Sequence, residues 1–504
     1  MKKTTEEYGP IPKEVLEVSQ KLKNAGFEAY LIGGCVRDII LGVKPRDWDF
    51  TTNAKPDDII KIFSDTFYEN VYGTVGVVNE GVSDETLKVV EVTPYRLEAE
   101  YSDNRRPDSV TFSDKLEDDL KRRDFTINAI ALNIGEEGNK KDYYKGQIVD
   151  LFNGQEDLKN KLLKTVGNAH ERFQEDGLRI LRAVRIGNYV GFEIDKDTEK
   201  AILDESHLLS NIAKERIRDE FVKILMSDQP MNGTIFCRRF GLLKYIIPDL
   251  EKTVGIEQGG AHSYDVWEHS LRSMQYAADK KWSLELRLSA LLHDIGKPKA
   301  RRKGEEGSKA WSFYGHEVVG ARMTEKILLD LRFPSKIIEK VTKLVRRHMF
   351  FSDTAIISLS AVRRLIALVG KDNVWDLMDL RACDRIGTGR PKADPYRLRK
   401  YHAMIEEATR DPISVGMLNI DGKKIMDVTK EIPGPKIGFA LHALLEEVLD
   451  NPKLNTEEYL NKRAIELIKL PEKDLRAMGE EGKKKKEEEN EEEVMEIRKS
   501  HKVK

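Results

Sequence analysis

Cysteine is scarce: the 504-residue chain holds three, Cys35, Cys237 and Cys383, widely spaced and odd in number. They offer no disulfide framework and suit a reducing compartment. Long apolar runs are also missing. No segment supplies the roughly eighteen uncharged apolar residues that a membrane-spanning helix needs. The first stretch of chain alternates charge and hydrophobe and has neither the apolar core nor the cleavage site of a secretory leader. A charge excess of either sign is lacking too, since 85 Lys+Arg against 87 Asp+Glu leave a net charge of −2. That excludes a uniformly basic nucleic-acid coat and a strongly acidic disordered chain, although a sum near zero can hide opposite patches. These absences lead to the expectation of a soluble cytoplasmic protein. At 40% apolar residues the chain has enough hydrophobe for a substantial core, and at ~150 residues per domain its length predicts about three domains.

The periodicity divides the chain. Up to about Asn133, short β-prone runs alternate with helical ones: Pro12 to Ala25 helical, Ala29 to Ile32 extended, Val36 to Leu41 helical, Trp48 to Thr51 extended. Pro56 to Phe63 then reads as helix, and Val75 to Val78 and Leu87 to Val92 as strands. This pattern predicts an α+β domain, a mixed sheet with helices, over residues 12–157. From residue 158 helical spacing dominates, giving an expected neck over 158–255. A His-rich helical block over 256–390 and a further helical region over 391–470 follow. The tail, 471–504, has 10 Lys/Arg and 11 Asp/Glu in 34 residues and too few apolar residues to bury a face. It reads as a solvated helix or a disordered segment.

Two local patterns in the first domain point to phosphate chemistry. Gly33-Gly34 follows a strand and precedes a helix, a turn in which backbone can approach a phosphate closely, and Arg37 stands one turn further on. By itself a glycine pair is usually only a turn. Asp47-Trp48-Asp49 then lies in a β-prone segment, where residues two apart point to the same side. Two carboxylates so placed repel unless a cation lies between them, and an oxygen-only set favours Mg²⁺ or Mn²⁺ over zinc. Glu91, in the run Val89 to Val92, is a candidate third ligand from a neighbouring strand. The plainer alternative is a set of solvent-facing acids on an edge strand. A phosphate-holding turn beside a two-metal carboxylate set means phosphoryl or nucleotidyl transfer.

Downstream, Arg122-Arg123-Asp124 combines cations suited to phosphate with an acid able to accept from a ribose hydroxyl. In Glu175-Asp176-Gly177-Leu178-Arg179, Asp176 and Arg179 are neighbours on a helix face, and Arg182 neighbours Arg179. Each three-residue step drifts by about 60°, so Arg185 lies half a turn from Asp176 and must do something else. The bland reading is an ion pair with arginines facing solvent. The sharper one is a base template. A carboxylate acceptor beside a guanidinium donor matches the amino group and ring acceptors of cytosine and adenine, and mismatches guanine and uracil.

In this order, Gly33 to Asp49, Arg122 to Ala129 and Glu175 to Arg179 strongly resemble the class II tRNA CCA-adding nucleotidyltransferases, whose core bacterial poly(A) polymerases share. Arg96 to Asp108 is similar to the family's flexible loop and Ala213 to Glu220 to its neck-helix motif, so the likeness covers roughly residues 12–250. The resemblance implies a head like that of DNA polymerase beta, with Gly34 and Arg37 on the nucleotide, Asp47 and Asp49 on Mg²⁺, and Arg123 on phosphate or ribose. It implies Asp176 and Arg179 as the template, with Arg182 and Arg185 alongside. CTP and ATP are the expected substrates and the tRNA 3′ end the expected partner. Gly177, where many members carry Pro, departs from the pattern without removing a chemical group. A poly(A) polymerase or an A-adding enzyme using ATP alone is the nearest alternative.

The C-terminal half carries His269, His293-Asp294, His316, His348 and Asp384 on successive helical segments. A lone histidine in a helix is usually structural, whereas imidazoles and carboxylates converging in a bundle make a mixed nitrogen–oxygen divalent site, fitting Mn, Ni, Fe or Zn. Such a site would generate hydroxide near neutral pH for phosphoester hydrolysis, with Lys297 near the phosphate. Residues 262–390 resemble the HD metal-dependent phosphohydrolase superfamily. The resemblance implies His269, His293, Asp294 and Asp384 as the four-ligand set, with His316 and His348 where two-metal members add ligands. It also brings in a second class of function, an HD-type RNA phosphodiesterase or phosphatase.

Overall fold

A computed structural model describes residues 6–68, 73–98, 110–259, 262–303, 311–350 and 357–478. Most of the loop motif beginning at Arg96 and the tail beyond Met478 lie outside the described residues. The chain divides into two compact units, Met1–Glu251 and Lys252–Lys504.

The first helix of the first unit, Lys13–Asn24, has apolar residues Val15, Val18 and Leu22 at helical spacing, all of them buried. Among the described residues up to Asp150 the alternating runs form ten strands: β1 (Glu6–Tyr8), β2 (Tyr30–Ile32), β3 (Asp49–Thr52), β4 (Thr66–Tyr68), β5 (Val75–Val78), β6 (Val89–Pro94), β7 (Arg96–Glu98), β8 (Val110–Phe112), β9 (Ile130–Glu137) and β10 (Tyr144–Asp150). Eight form one mixed sheet in the order β1-β10-β9-β2-β3-β6-β5-β4, while β7 and β8 pair separately. The pairing of β3 with β6 is parallel, with Asp49 opposite Glu91 and Phe50 opposite Val92. Alternation along β6 buries Val90 and Val92 and leaves Glu91 half-buried. Because side chains alternate faces, Phe50 and Val92 enter the core while Asp49 and Glu91 share the other side.

Helices then take over. Leu178–Val190 buries Ile180, Leu181, Ala183 and Val184 and packs against Lys214–Leu225, which buries Ile217, Phe221 and Ile224. These apolar faces leave Arg182 and Arg185 of the first helix to meet Glu220 of the second along the edge of the contact.

Among its described residues the second unit is helical apart from a short two-stranded ribbon. Val266–Asp279, Leu284–Leu292, Ser335–Arg347 and Asn373–Gly387 pack on one another, with His316–Asp330 against Ser335–Arg347. Leu359–Val369, Tyr396–Ala408, Gly422–Thr429, Pro435–Asp450 and Glu457–Ile468 share a second core built on Val362, Ile366, Tyr401, Ile405, Leu444 and Leu467. No described helix is long and apolar enough to cross a membrane.

Candidate functional sites

β2 ends at Ile32, and Gly33 follows with a φ of +81°, a left-handed conformation that side-chain-bearing residues rarely adopt; the helix Gly34–Ile40 starts immediately after. A methyl group added at Gly33 would stand 3.3 Å from Arg123 Nη1 and 3.6 Å from Asp49 Oδ2. One added at Gly34 would stand 3.5 Å from Asp47 Oδ1 and 3.6 Å from Arg37 Nη2. The bare turn therefore faces both acids and both arginines.

The acids are not placed quite as their spacing predicts. Asp49 opens β3, but Asp47 lies in a bend before the strand. Trp48 between them is buried, and its carbonyl accepts the Glu91 amide at 3.0 Å, so the ladder begins only after Asp47. The three carboxylates still act on one another. Burial first, then the charges of Asp47 and Glu91, push the Asp49 carboxyl up to about 8 against the pull of Arg123. Oxygen ligands held under mutual repulsion fit a hard divalent cation.

Arg37 is buried and pre-oriented: Nε and Nη2 reach Asp38 Oδ1 at 2.8 and 2.7 Å, and Nη1 donates to Asn128 Oδ1 at 3.0 Å. Arg123 donates through Nη2 to Asp119 Oδ2 at 3.0 Å, and Arg122 through Nε to Asp119 Oδ1 at 2.8 Å. Burial would raise the Asp119 carboxyl, but these two guanidinium groups hold it below its ordinary value. Asp119 and Asn128 were missed as positioning residues. Their signal was the acid three and four residues before the arginine pair, and an amide four residues after Asp124 in the same run.

Asp124, read as a ribose acceptor, is taken by Arg182, whose Nε and Nη2 lie 2.8 and 2.6 Å from its Oδ2. Burial opposes ionisation, yet Arg182 and then Arg179 bring the Asp124 carboxyl down to about 2. Asp176 precedes the helix rather than riding on it. It accepts the Leu178 amide at 3.1 Å, and its carboxylate takes Arg216 Nη2 at 2.7 Å. Arg179 donates to Glu175, to the Arg172 carbonyl at 3.0 Å and to the Arg122 carbonyl at 3.2 Å. Arg185, expected to turn away, donates to Glu220 Oε2 at 2.6 Å. Glu220 also receives Lys223 at 3.0 Å and lies 3.9 Å from Arg182. Arg216 and Glu220 belong to the neck-helix motif, although their partners could not be read from it.

In the second unit the six predicted ligands converge. His269 Nε2 lies 2.9 Å from His293 Nε2, 3.1 Å from Asp294 Oδ2 and 3.4 Å from Asp384 Oδ1. On the other side of Asp294, Oδ1 lies 3.2 Å from His316 Nε2 and 3.7 Å from His348 Nε2. The side chains thus form two triads, His269/His293/Asp384 and Asp294/His316/His348, with Asp294 touching both. His293, His316 and His348 each direct Nδ1 to a carbonyl three residues back, at 2.9, 2.8 and 2.7 Å, leaving Nε2 for the cluster. Burial, with His293 and His316 nearby, holds the His348 imidazole neutral, as a metal ligand must be. Burial disfavours the charge on Asp294, but Lys297 and His293 keep it ionised. Lys297, expected near a phosphate, bonds Asp294 Oδ2 and Gln258 Oε1, each at 2.6 Å. Gly387 brings Asp384 to its partner, since a methyl group there would fall 2.7 Å from the His269 carbonyl. His262 also borders the cluster, its ring 5.1 Å from that of His269; nothing in the sequence distinguished it from a loop histidine.

Three stretches of the chain match known family models. Residues 29–164 match the poly A polymerase head domain, 191–253 the probable RNA and SrmB-binding site of polymerase A, and 266–388 the HD domain. A protein of Ligilactobacillus salivarius named CCA-adding enzyme is 46% identical over 222 residues, 44% of this chain and 51% of that protein. The chain thus spans about half the length of several curated relatives it matches. A Geobacillus thermodenitrificans protein of the same name is 30% identical over 464 residues, covering 92% of this chain and 98% of its own. The crystal structure of the Bacillus stearothermophilus CCA-adding enzyme in complex with CTP is 28% identical, with a TM-score of 0.65 over 92% of this chain and 98% of that one. With near full-length similarity on both sides, the chain belongs to the CCA-adding enzyme family.

Proposed function

We propose that the protein is a tRNA nucleotidyltransferase that adds CCA to the tRNA 3′ end from CTP and ATP. The observation that carries this reading is the grouping of Asp49, Glu91 and Asp47 under the Gly33–Gly34 turn, with Arg37 and Arg123 beside them. In this reading Asp47, Asp49 and Glu91 would hold Mg²⁺, whose charge would lower the pKa of the attacking hydroxyl and offset that of the triphosphate. The terminal ribose hydroxyl attacks the α-phosphorus of the nucleotide and pyrophosphate leaves. Gly34 leaves room for the phosphates, while Arg37 and Arg123 face their charge. Asp176 accepts from the amino group of cytosine or adenine and Arg179 donates to the ring acceptor, with Asp124, Arg182 and Arg185 fixing the helix that carries them.

Residues 12–157 then form the catalytic head and 158–255 the nucleotide-selecting, RNA-binding neck. The HD region takes 256–390, a helical region 391–470 and the charged tail 471–504. Three buried, unpaired cysteines and a tRNA substrate suit the cytoplasm. A tRNA lacking its terminal trinucleotide, incubated with labelled CTP and Mg²⁺, tests the assignment: no cytidine incorporation overturns it. Activity only on tRNA ending in CC, with ATP, would instead favour an A-adding enzyme.

The two triads joined by Asp294 favour a second activity, metal-dependent phosphoester hydrolysis, with Ni, Mn or Fe the candidate ions. His269, His293, Asp294 and Asp384 would hold one ion, and His316, His348 and the other oxygen of Asp294 a second. Asp47→Ala and Asp294→Ala separate the activities. If polymerisation survives the first substitution, the hydrolase reading stands alone.

A further inference from the structure

Arg46, exposed and immediately before Asp47, has no part in the reaction as assigned above. Its guanidinium carbon lies 4.6 Å from the centroid of the Tyr189 ring, and that of Arg37 lies 5.4 Å from the same centroid. Among the described residues no carboxylate is ion-paired with Arg46, and Asp38, which feels its charge, is already bound by Arg37. Tyr189 lies near the end of Leu178–Val190, seven residues after Arg182 and on the same helix face. It follows Arg179 by ten residues, about 15 Å at the rise of an α-helix.

We propose that Arg46, seated on Tyr189, holds the terminal phosphates of the incoming nucleoside triphosphate, the end released as pyrophosphate. The inference rests on nucleotidyl transfer at Asp47 and Asp49. The helix and the turn before it mark out both ends of the substrate, with Asp176 in the turn and Arg179 in the first turn of helix at the base end and Tyr189 at the far end, separated by about the span of an extended nucleoside triphosphate. Arg37, which faces the glycine turn, shares the ring with Arg46, so two cations gather at the Tyr189 ring. Stacking leaves the in-plane N–H donors of a guanidinium free for bidentate phosphate bonds. It also restricts a flexible side chain that would otherwise lose rotamer entropy on binding. A cation at this end stabilises the leaving pyrophosphate as its bond to the α-phosphorus breaks, and has no means of distinguishing CTP from ATP.

Steady-state incorporation into tRNA lacking CCA tests this with Arg46→Ala, Arg46→Lys, Tyr189→Phe and Tyr189→Leu. Arg46→Ala is expected to raise the KM for CTP and ATP alike by about tenfold and to weaken product inhibition by pyrophosphate by a similar factor. The KM for tRNA and the melting temperature stay as in the parent. Arg46→Lys restores part of the loss, Tyr189→Leu gives a smaller shift in the same two constants, and Tyr189→Phe none. Unchanged nucleotide KM and pyrophosphate inhibition in Arg46→Ala overturn the proposal. A shift instead in the tRNA KM, with a shallower salt dependence of tRNA binding, also overturns it by placing Arg46 on an RNA phosphate. A parent protein that incorporates neither nucleotide defeats the transfer reading itself. Calorimetric titration with pyrophosphate and Mg²⁺ reads the Arg46 contact independently of that result.

Discussion

Arg216 Nη2 meets Asp176 Oδ2 at 2.7 Å, joining the helix Lys214–Leu225 to the turn just before Leu178–Val190. The carboxylate assigned to base reading is therefore oriented by a residue forty positions away. Arg216→Ala should free that carboxylate to rotate. The expected result is increased misincorporation of UTP and GTP, with the KM for CTP and ATP raised by about tenfold, the cost of one charge-assisted hydrogen bond. Arg216→Lys should recover part of the selectivity. Competition assays with all four nucleotides measure both.

The raised Asp49 carboxyl gives a pH signature in protein stripped of divalent ions. Its folded value of about 8 exceeds the ordinary carboxylate value, so between roughly pH 4 and pH 8 the folded state binds more protons than the unfolded state. Stability should therefore fall as pH rises through that window. Asp49→Asn should flatten the dependence while abolishing nucleotide incorporation, and Mg²⁺ should restore stability near pH 8 in the parent only. Thermal melts in a chelator across the window, with and without added Mg²⁺, would reveal it.

Asp294 faces both triads, so Asp294→Asn should reduce bound metal at both positions, whereas His316→Ala should affect one. Elemental analysis after loading with Mn or Ni is expected to give substantially less metal in Asp294→Asn than in His316→Ala. Cytidine incorporation, which depends on the other unit, should be retained by both variants.

Gly387→Ala tests how the second cluster is assembled without altering a ligand. The added methyl group would lie 2.1 Å from Ser273 Oγ and 2.7 Å from the His269 carbonyl, and one of those atoms is backbone. Forcing the helices apart should cost about 1–3 kcal/mol. A lowered melting transition for the second unit and weakened metal retention are expected, with nucleotide KM unchanged.

Much of this was legible in the residues because the informative groups occur in short strings. The glycine turn, Asp47 and Asp49, and the His293-Asp294 pair each lie within a few positions, where strand and helix periodicity governs geometry. Glu91 was legible because alternating Val89 to Val92 marks a strand, even though the partner strand had to be guessed. The ion-pair partners were not legible. Arg182 with Asp124, Arg216 with Asp176 and Arg185 with Glu220 are separated by 58, 40 and 35 residues. Tertiary packing of the apolar helix faces decides which charges meet. Asp47 was misplaced onto the strand for a related reason: burial of Trp48 sets where the ladder starts, and β-propensity does not report it.

Glu220 receives Arg185 and Lys223 and lies near Arg182, which has a consequence for how this region can diverge. One residue inserted between Leu178 and Arg182 would rotate Arg182 and Arg185 by about 100° and take both from Glu220 together, leaving it only Lys223 of its own helix. Drift along this helix must proceed by exchange of side chains, with gains and losses of length confined to connections such as Gly191–Phe192, beyond the last charged rung.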